Sequence, residues 1–177
     1  MIVDNLSYRK KSEGVFVASS SIVKPTREIV SELVRERKGA MKNSARLLLH
    51  ESINDILHQM IIVHSGGMYI RPHINSFSDK SWHVIEGELE FVKFDESGEA
   101  KEHFRVGPYD SELPFIVRLS ERAFHTLIPI SGHTVVLETI LGPFCETVYA
   151  QWAPSGENPE AAEAYLGSLC VKLGVKF

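Results

Sequence analysis

The sequence has few cysteines, no long apolar run and no excess of basic residues. These three features argue, in turn, against a disulfide-stabilised protein, a membrane-spanning protein and a nucleic-acid-binding protein. Its two cysteines, Cys145 and Cys170, form no Cys-x-x-Cys pair, so we expect free thiols rather than a disulfide framework. No apolar stretch approaches the ~20 residues that a membrane span requires. Residues 1–14 lack the apolar core of a secretory signal. We therefore expect a cytoplasmic protein with no membrane partner.

The charge balance argues against a polyanionic partner. The chain carries 19 Lys and Arg against 23 Asp and Glu, a formal net charge of -4 at pH 7, so nucleic acid is not an expected partner. Its 177 residues, 44% of them hydrophobic, are enough to bury a core without disulfides or a structural metal. One main domain is the expected organisation.

The N-terminal part is predicted to be an extension that contains one helix. Residues Val15–Val23 are small or β-branched and favour a strand, which could pair with a sheet edge of a second copy in a homodimer. Apolar residues then recur at helical intervals over Arg27–Lys42, with Thr26 as the N-cap. We assign residues 1–45 to this extension.

Residues 46–148 read as a series of short strands separated by tight turns. The predicted strands are Asp55–His64, Met68–Ile74, Ser81–Glu86, Leu89–Phe94, Phe115–Leu119, Ala123–Ile128 and Thr134–Leu141. This pattern predicts a mainly β domain, either a barrel or a sandwich. A second helix over Glu160–Leu173, with Asn158 as its N-cap, places a helical tail on the barrel over residues 149–177.

Two distant segments carry the residues that could form a site. Side chains alternate along a strand, so Tyr69, Arg71, His73 and Asn75 share one face and could point to a common interior position. His125, in the segment Phe124-His125-Thr126, could approach them from another strand.

These segments resemble the two motifs of cupins and, more narrowly, the WbuC family of cupin-fold metalloproteins. The shared features, in chain order, are Arg71-Pro72-His73, Ser81–Gly87, Phe94-Asp95 with Gly98, Phe124-His125-Thr126, Glu138, Gly142-Pro143-Phe144 and Ala150–Pro154. The resemblance implies a cupin, jelly-roll-like β-barrel. It also implies a small-molecule role, since WbuC-like proteins are associated with surface-polysaccharide biosynthesis and cupins include sugar isomerases and epimerases.

The resemblance further implies a divalent metal, which would be zinc, iron, nickel or manganese. Such cupins bind it through two histidines and a carboxylate of the first motif and one histidine of the second. His73 and His125 match the first and last of these ligands. Asn75 stands in place of the second histidine, and Lys80 stands in place of the carboxylate.

Strand parity leaves two arrangements for the missing carboxylate. If Asp79 points inward, it joins His73 and His125 as a metal ligand, and Asn75 or His83 could be a further ligand. If Lys80 points inward, it shares a face with Trp82 and Val84, and its ammonium takes the place of the cation. We expect Lys80 to turn outward, because lysine is rarely buried.

The predicted function is that of a small-molecule-binding protein acting on a sugar or sugar-nucleotide-like ligand, as an isomerase or epimerase. His125 or His83 would move a proton and Arg71 would hold an anionic group, unless Arg71 forms an ion pair with Glu86 or Glu138. Tyr69, Lys80 and Glu138 complete the predicted pocket. The alternative is a non-catalytic binding module with a degenerate metal site.

Overall fold

The computed structural model describes residues 8–38, 43–75 and 79–176. Within these ranges the chain forms twelve β-strands and two α-helices. The strands are β1 (Tyr8–Ser12), β2 (Val15–Ala18), β3 (Ser44–Leu48), β4 (Leu57–Ser65), β5 (His73–Ile74), β6 (Lys80–Glu86), β7 (Leu89–Phe94), β8 (Ala100–Val106), β9 (Ile116–Leu119), β10 (Phe124–Pro129), β11 (His133–Leu141) and β12 (Val148–Tyr149). The helices are α1 (Arg27–Glu36) and α2 (Pro159–Leu173). Neither helix combines the length and the apolar character that a membrane crossing requires.

Eight of the strands pair in the order of a jelly roll. One sheet contains the order β4-β11-β6-β9, the other contains β5-β10-β7-β8, and all of these neighbours are antiparallel. Strands β3, β2 and β1 extend the first sheet beyond β4, and β12 extends the second beyond β5. This strand order confirms the predicted mainly β, cupin-type jelly roll with an N-terminal and a C-terminal helix.

The sheets are packed against apolar residues on both of their faces. Between them lies a cluster that includes Trp82, Val84 and Val136 of the first sheet and Phe91 and Leu127 of the second. The outer face of the first sheet packs against α1, and the outer face of the second packs against α2. Burial on both faces explains why several strands are apolar at nearly every position.

The N-terminal extension is part of the larger sheet. Thr26 caps α1 as predicted, but the helix ends at Glu36, and residues 39–42 of the predicted helix lie outside the described residues. Instead of one strand there is a hairpin of β1 and β2, which turns at Gly14 with φ 65°. Because the exposed side chains of β1 are mostly charged, the strand shows no recognisable alternation of apolar and polar residues in the sequence.

The hairpin changes the expected role of the second strand. β2 is hydrogen-bonded to β1 on one side and to β3 on the other, so it offers no free edge to a partner copy. The predicted route to a homodimer through this strand is therefore wrong, and the homodimer itself stays a prediction. The predicted boundary between residues 45 and 46 falls inside β3.

Most of the predicted strands are present, with small shifts at their ends. The prediction for β7 is correct at both ends, and α2 begins one residue before the predicted start, with Asn158 as its N-cap. The strand predicted over Met68–Ile74 is reduced to His73–Ile74, and β8 was missed. β8 lies at a sheet edge and exposes Lys101, Glu102 and His103, which weakens its alternating pattern. Both cysteines are free thiols, as expected.

Candidate functional site

Four polar side chains meet at one end of the jelly roll. His73 on β5 and His125 on β10 are direct cross-strand partners, and their ring centroids lie 4.6 Å apart. Lys80 begins β6, and Glu138 lies on β11, the strand paired with β6. The two sheets therefore each contribute two groups to what we call the mouth cluster: His73, Lys80, His125 and Glu138.

Both histidines carry one protonated and one unprotonated ring nitrogen. His73 Nδ1 lies 2.9 Å from the carbonyl oxygen of Arg71, and His125 Nδ1 lies 3.0 Å from that of Ala123. A carbonyl oxygen only accepts, so each Nδ1 carries a proton and donates it. In the neutral rings each Nε2 therefore keeps its lone pair. His125 Nε2 is buried and has no hydrogen-bond partner among the described residues.

Burial keeps both imidazoles neutral. It lowers the pKa of His73 and of His125 below the ordinary value for histidine, and the nearby charge of Lys80 lowers both further. The opposing effect of the Glu138 carboxylate is weaker. At neutral pH the two rings are proton acceptors.

Lys80 points into the mouth cluster, which corrects the expectation that it turns outward. Its side chain is 6% exposed, and its ammonium donates to Asn75 Oδ1 at 3.0 Å and contacts Glu138 Oε2 at 3.0 Å. The ammonium also lies 4.9 Å from the ring centre of Trp82, within the range of a cation–π contact. Lysine is tolerated here because three neighbours compensate for its lost hydration.

Glu138 is the counter-ion of Lys80. The same oxygen, Oε2, accepts a hydrogen bond from the indole nitrogen of Trp82 at 2.8 Å. Burial opposes ionisation of the carboxyl group, but Lys80 and these hydrogen bonds outweigh it and hold the pKa of Glu138 below its usual range. The Glu138 carboxyl group is therefore ionised at neutral pH.

Two residues of the predicted site lie elsewhere. Asp79 is largely exposed and forms an ion pair with Arg118 at 2.8 Å, so the arrangement in which it points inward is wrong. His83 has the opposite strand phase from Lys80, and its ring packs edge-on against Phe115. The structure does not bring either side chain to the His73 and His125 pair.

Arg71 and Tyr69 are held by the C-terminal segment. Arg71 Nη2 donates to the carbonyl oxygen of Ala150 at 2.7 Å, and its guanidinium lies 5.4 Å from the ring centre of Tyr149. Among the described residues no ion pair of Arg71 is present, so neither Glu86 nor Glu138 is its partner. Tyr69 donates to the Pro154 carbonyl at 2.9 Å and packs against Tyr165, away from the mouth cluster.

A small cavity opens next to the mouth cluster. It is lined by Ile74, Asn75, Lys80, Leu119, Glu121, Ala123 and His125. Its free volume is about 10 Å³, close to the smallest space that holds one water molecule. One oxygen-sized group could therefore enter beside His125.

The residues of the mouth cluster do not fit a divalent metal. The oxygen donors Glu138 Oε2 and Asn75 Oδ1 both contact the ammonium of Lys80. Within residues 8–38, 43–75 and 79–176, no three His, Cys, Asp or Glu side chains are grouped as metal ligands. A fixed positive charge beside two imidazoles also repels a second cation.

Trp82 is the member of this site that sequence reasoning did not select. It is fully buried, and its ring lies edge-on to that of His125 with centroids 5.2 Å apart. Strand parity places Trp82 and Lys80 on the same face of β6. The pairing of β6 with β11 then places Glu138 beside both side chains. A second missed contact is the stacking of His50 on His58, whose ring centroids are 4.1 Å apart.

His64, near the C-terminal end of β4, should make the free energy of unfolding depend on pH. Burial, with a smaller contribution from Arg46, lowers the pKa of His64 to about 4. A depressed histidine pKa stabilises the fold above the unfolded value near 6.5, and this stabilisation is lost as pH falls toward 4. We expect His64 to account for up to about 3 kcal/mol of the free energy of unfolding lost over this window.

Urea unfolding at several pH values would measure this loss. The non-titrating variant His64→Gln should show a shallower decline between pH 6.5 and pH 4, whereas His133→Gln, which alters an exposed pair with Glu86, should follow the wild type. Equal slopes in all three proteins would contradict the assignment to His64.

Part of the chain matches a protein family whose function is unknown. Residues 26–106 match a family described as a domain of unknown function, DUF6016. The matched segment includes His73 and Lys80 but ends before His125 and Glu138. No curated protein matches the chain.

Several solved structures are similar to this chain at low identity. A cupin-2 domain from Rhodospirillum rubrum is 12% identical, with 71% of this chain and 79% of that chain covered and a TM-score of 0.49. A cupin superfamily protein from Desulfitobacterium hafniense is 15% identical, with 69% and 95% covered and a TM-score of 0.48. A protein of unknown function from Streptococcus pyogenes is 15% identical, with 59% and 79% covered and a TM-score of 0.45. The strand order, rather than these likenesses, assigns the cupin-type fold.

Proposed function

We propose that this protein binds a hydroxyl-bearing, sugar-like small molecule at the mouth cluster and that His125 accepts a proton from it. The observation that carries the proposal is the buried Nε2 of His125, which has a lone pair and no partner among the described residues. An unsatisfied buried acceptor costs free energy, so a ligand that donates a hydrogen bond here is favoured. The adjoining cavity accommodates a group no larger than one hydroxyl.

The electrostatics of the mouth cluster favour proton transfer from a polyol or a hydroxy-carbonyl compound. The imidazole is neutral at pH 7 and can accept a proton, while the Lys80 ammonium stabilises negative charge that develops on a neighbouring oxygen. Isomerisation moves a proton from one carbon of the ligand to another, and epimerisation removes a proton from a carbon and returns one to the opposite face of the same carbon, so neither reaction consumes an oxidant or reductant. We therefore propose a sugar isomerase or epimerase reaction.

Arg71 supports an anionic group on the same ligand. Its guanidinium has no acidic partner among the described residues, and it lies beside Tyr149, whose ring is 6.1 Å from that of His73. A carboxylate or a phosphate near Arg71 would neutralise this charge. A sugar acid or a sugar nucleotide meets both requirements, and a role in surface-polysaccharide metabolism would supply such ligands.

Ligand screening would test this proposal. We expect a sugar, sugar acid or sugar nucleotide to raise the melting temperature, and His125→Phe to weaken its binding at least ~10-fold by removing the acceptor. His133→Gln, near the opposite end of β11, is the matched control and should bind like the wild type. Proton transfer would appear as solvent deuterium in the ligand by NMR. Binding that His125→Phe leaves unchanged would overturn the proposed site.

The second candidate is a non-catalytic binding module. The Lys80 and Glu138 ion pair favours it, because the pair neutralises itself and holds both side chains in place. This candidate predicts the same loss of binding in His125→Phe but no deuterium exchange into the ligand. The exchange measurement therefore separates the two functions.

A further inference from the structure

The mouth cluster contains side chains of the types that bind metals in other proteins, together with a cation from the chain itself, the ammonium of Lys80. Two imidazoles, each with an unprotonated Nε2, are cross-strand partners, and the buried carboxylate of Glu138 lies in the other sheet, where it contacts Lys80. Neutral imidazole and carboxylate are the ligand types that divalent transition metals prefer. The positive charge that balances them is the ammonium of Lys80.

We infer that the Lys80 ammonium takes the place of a metal ion. The mouth cluster is then a metal-independent site whose cation is a side chain of the protein itself. The ammonium is held on three sides, by Asn75 Oδ1, by Glu138 Oε2 and by the face of Trp82. Its side chain is almost fully buried, so it cannot swing into solvent without breaking these contacts.

The chemistry differs from that of a metal in a definite way. A divalent ion would coordinate the lone pairs of His73 and His125 directly, which would remove both rings as proton acceptors. The ammonium of Lys80 contacts Asn75 and Glu138 instead, and His125 Nε2 has no hydrogen-bond partner among the described residues, so its lone pair stays available. The inference concerns the cation alone and does not depend on the identity of the ligand in the proposed function.

Exchanging the ammonium for a metal-ligating group tests the inference directly. In Lys80→Glu a carboxylate, and in Lys80→His an imidazole, would replace the ammonium beside His73 and His125. We expect the wild type, purified without chelators and without a tag, to contain less than about one-tenth of an equivalent of transition metal by elemental analysis. At least one of the two variants should gain about one equivalent of cobalt or zinc, with affinity at least ~100-fold above the wild type.

The readouts separate metal binding from folding and from ligand binding. Cobalt bound by imidazole and carboxylate gives visible absorption, and adding His125→Phe to either variant should abolish it. Circular dichroism shows which variant folds. Because two different substitutions are tested, the experiment remains informative if one of the variants does not fold. Near-stoichiometric metal in the wild type that is lost in His73→Ala and His125→Ala would overturn the inference. So would the absence of cobalt binding from every one of the two variants that folds.

Discussion

Glu138→Ala should lower the free energy of unfolding by about 3–5 kcal/mol, because it leaves the buried ammonium of Lys80 without its counter-ion. The hydrogen bond from the Trp82 indole is lost in the same step. Urea unfolding at pH 7 would measure the change. The effect should shrink as pH falls below about 4.5, the ordinary pKa of glutamate, because a carboxyl group with a depressed pKa stabilises the fold fully above that value and loses this stabilisation as pH falls toward about 2.

Two matched variants separate the buried charge from a general loss of packing. The double variant Lys80→Met with Glu138→Leu removes both charges and should recover most of the stability, since apolar replacement of a buried ion pair is often neutral. Asp79→Ala breaks the exposed pair with Arg118 and should cost no more than about 1 kcal/mol. A Glu138→Ala protein as stable as Asp79→Ala would show that Lys80 leaves the mouth cluster.

Leu33→Ala should destabilise the protein by about 2–5 kcal/mol, although the residue lies in the N-terminal extension. Leu33 is fully buried between α1 and the outer face of the larger sheet, where it belongs to the cluster of Phe16, Leu47 and Ile61. Truncation there removes apolar contacts and leaves a cavity. The measurement is again urea unfolding, followed both by tryptophan fluorescence and by circular dichroism.

The exposed neighbour on the same helix is the control. Arg35→Ala removes a side chain that is 66% exposed and pairs only weakly with Glu32, so its effect should stay within about 0.5 kcal/mol. Because β1, β2 and β3 are hydrogen-bonded into the sheet of the jelly roll, the two probes should report one transition. Separate transitions in Leu33→Ala would mean that the extension unfolds on its own.

Local sequence signals were sufficient where a strand or helix is amphipathic or ends at a strong cap. Thr26 and Asn158 each accept a backbone hydrogen bond at the start of a helix, as their residue types predicted. β7 was bounded correctly because turn residues flank a short segment rich in apolar and aromatic residues. β1 and β8 were missed because their exposed faces are charged, and a strand at a sheet edge needs only one apolar face.

The mouth cluster was predicted in part, and the unpredicted part is its electrostatics. The pairing of His73 with His125 followed from the two motifs and is present across β5 and β10. Lys80 was expected to point outward because a buried ammonium is costly in isolation. That cost is offset by Glu138, which lies 58 residues further along the chain and meets Lys80 only after β6 and β11 pair.

By itself, the sequence determined which side chains share a face, because alternation along a strand is a local property of the backbone. It placed Lys80 with Trp82 and Asp79 with His83 before any strand was paired. Only the tertiary structure decided which of these two faces is inside. The pairing of β6 between β9 and β11 buries Trp82 and supplies Glu138 to Lys80, while Asp79 meets Arg118 at the surface. The charge of Lys80 can be buried because Glu138 is buried beside it, and these two residues are brought together only when the chain folds.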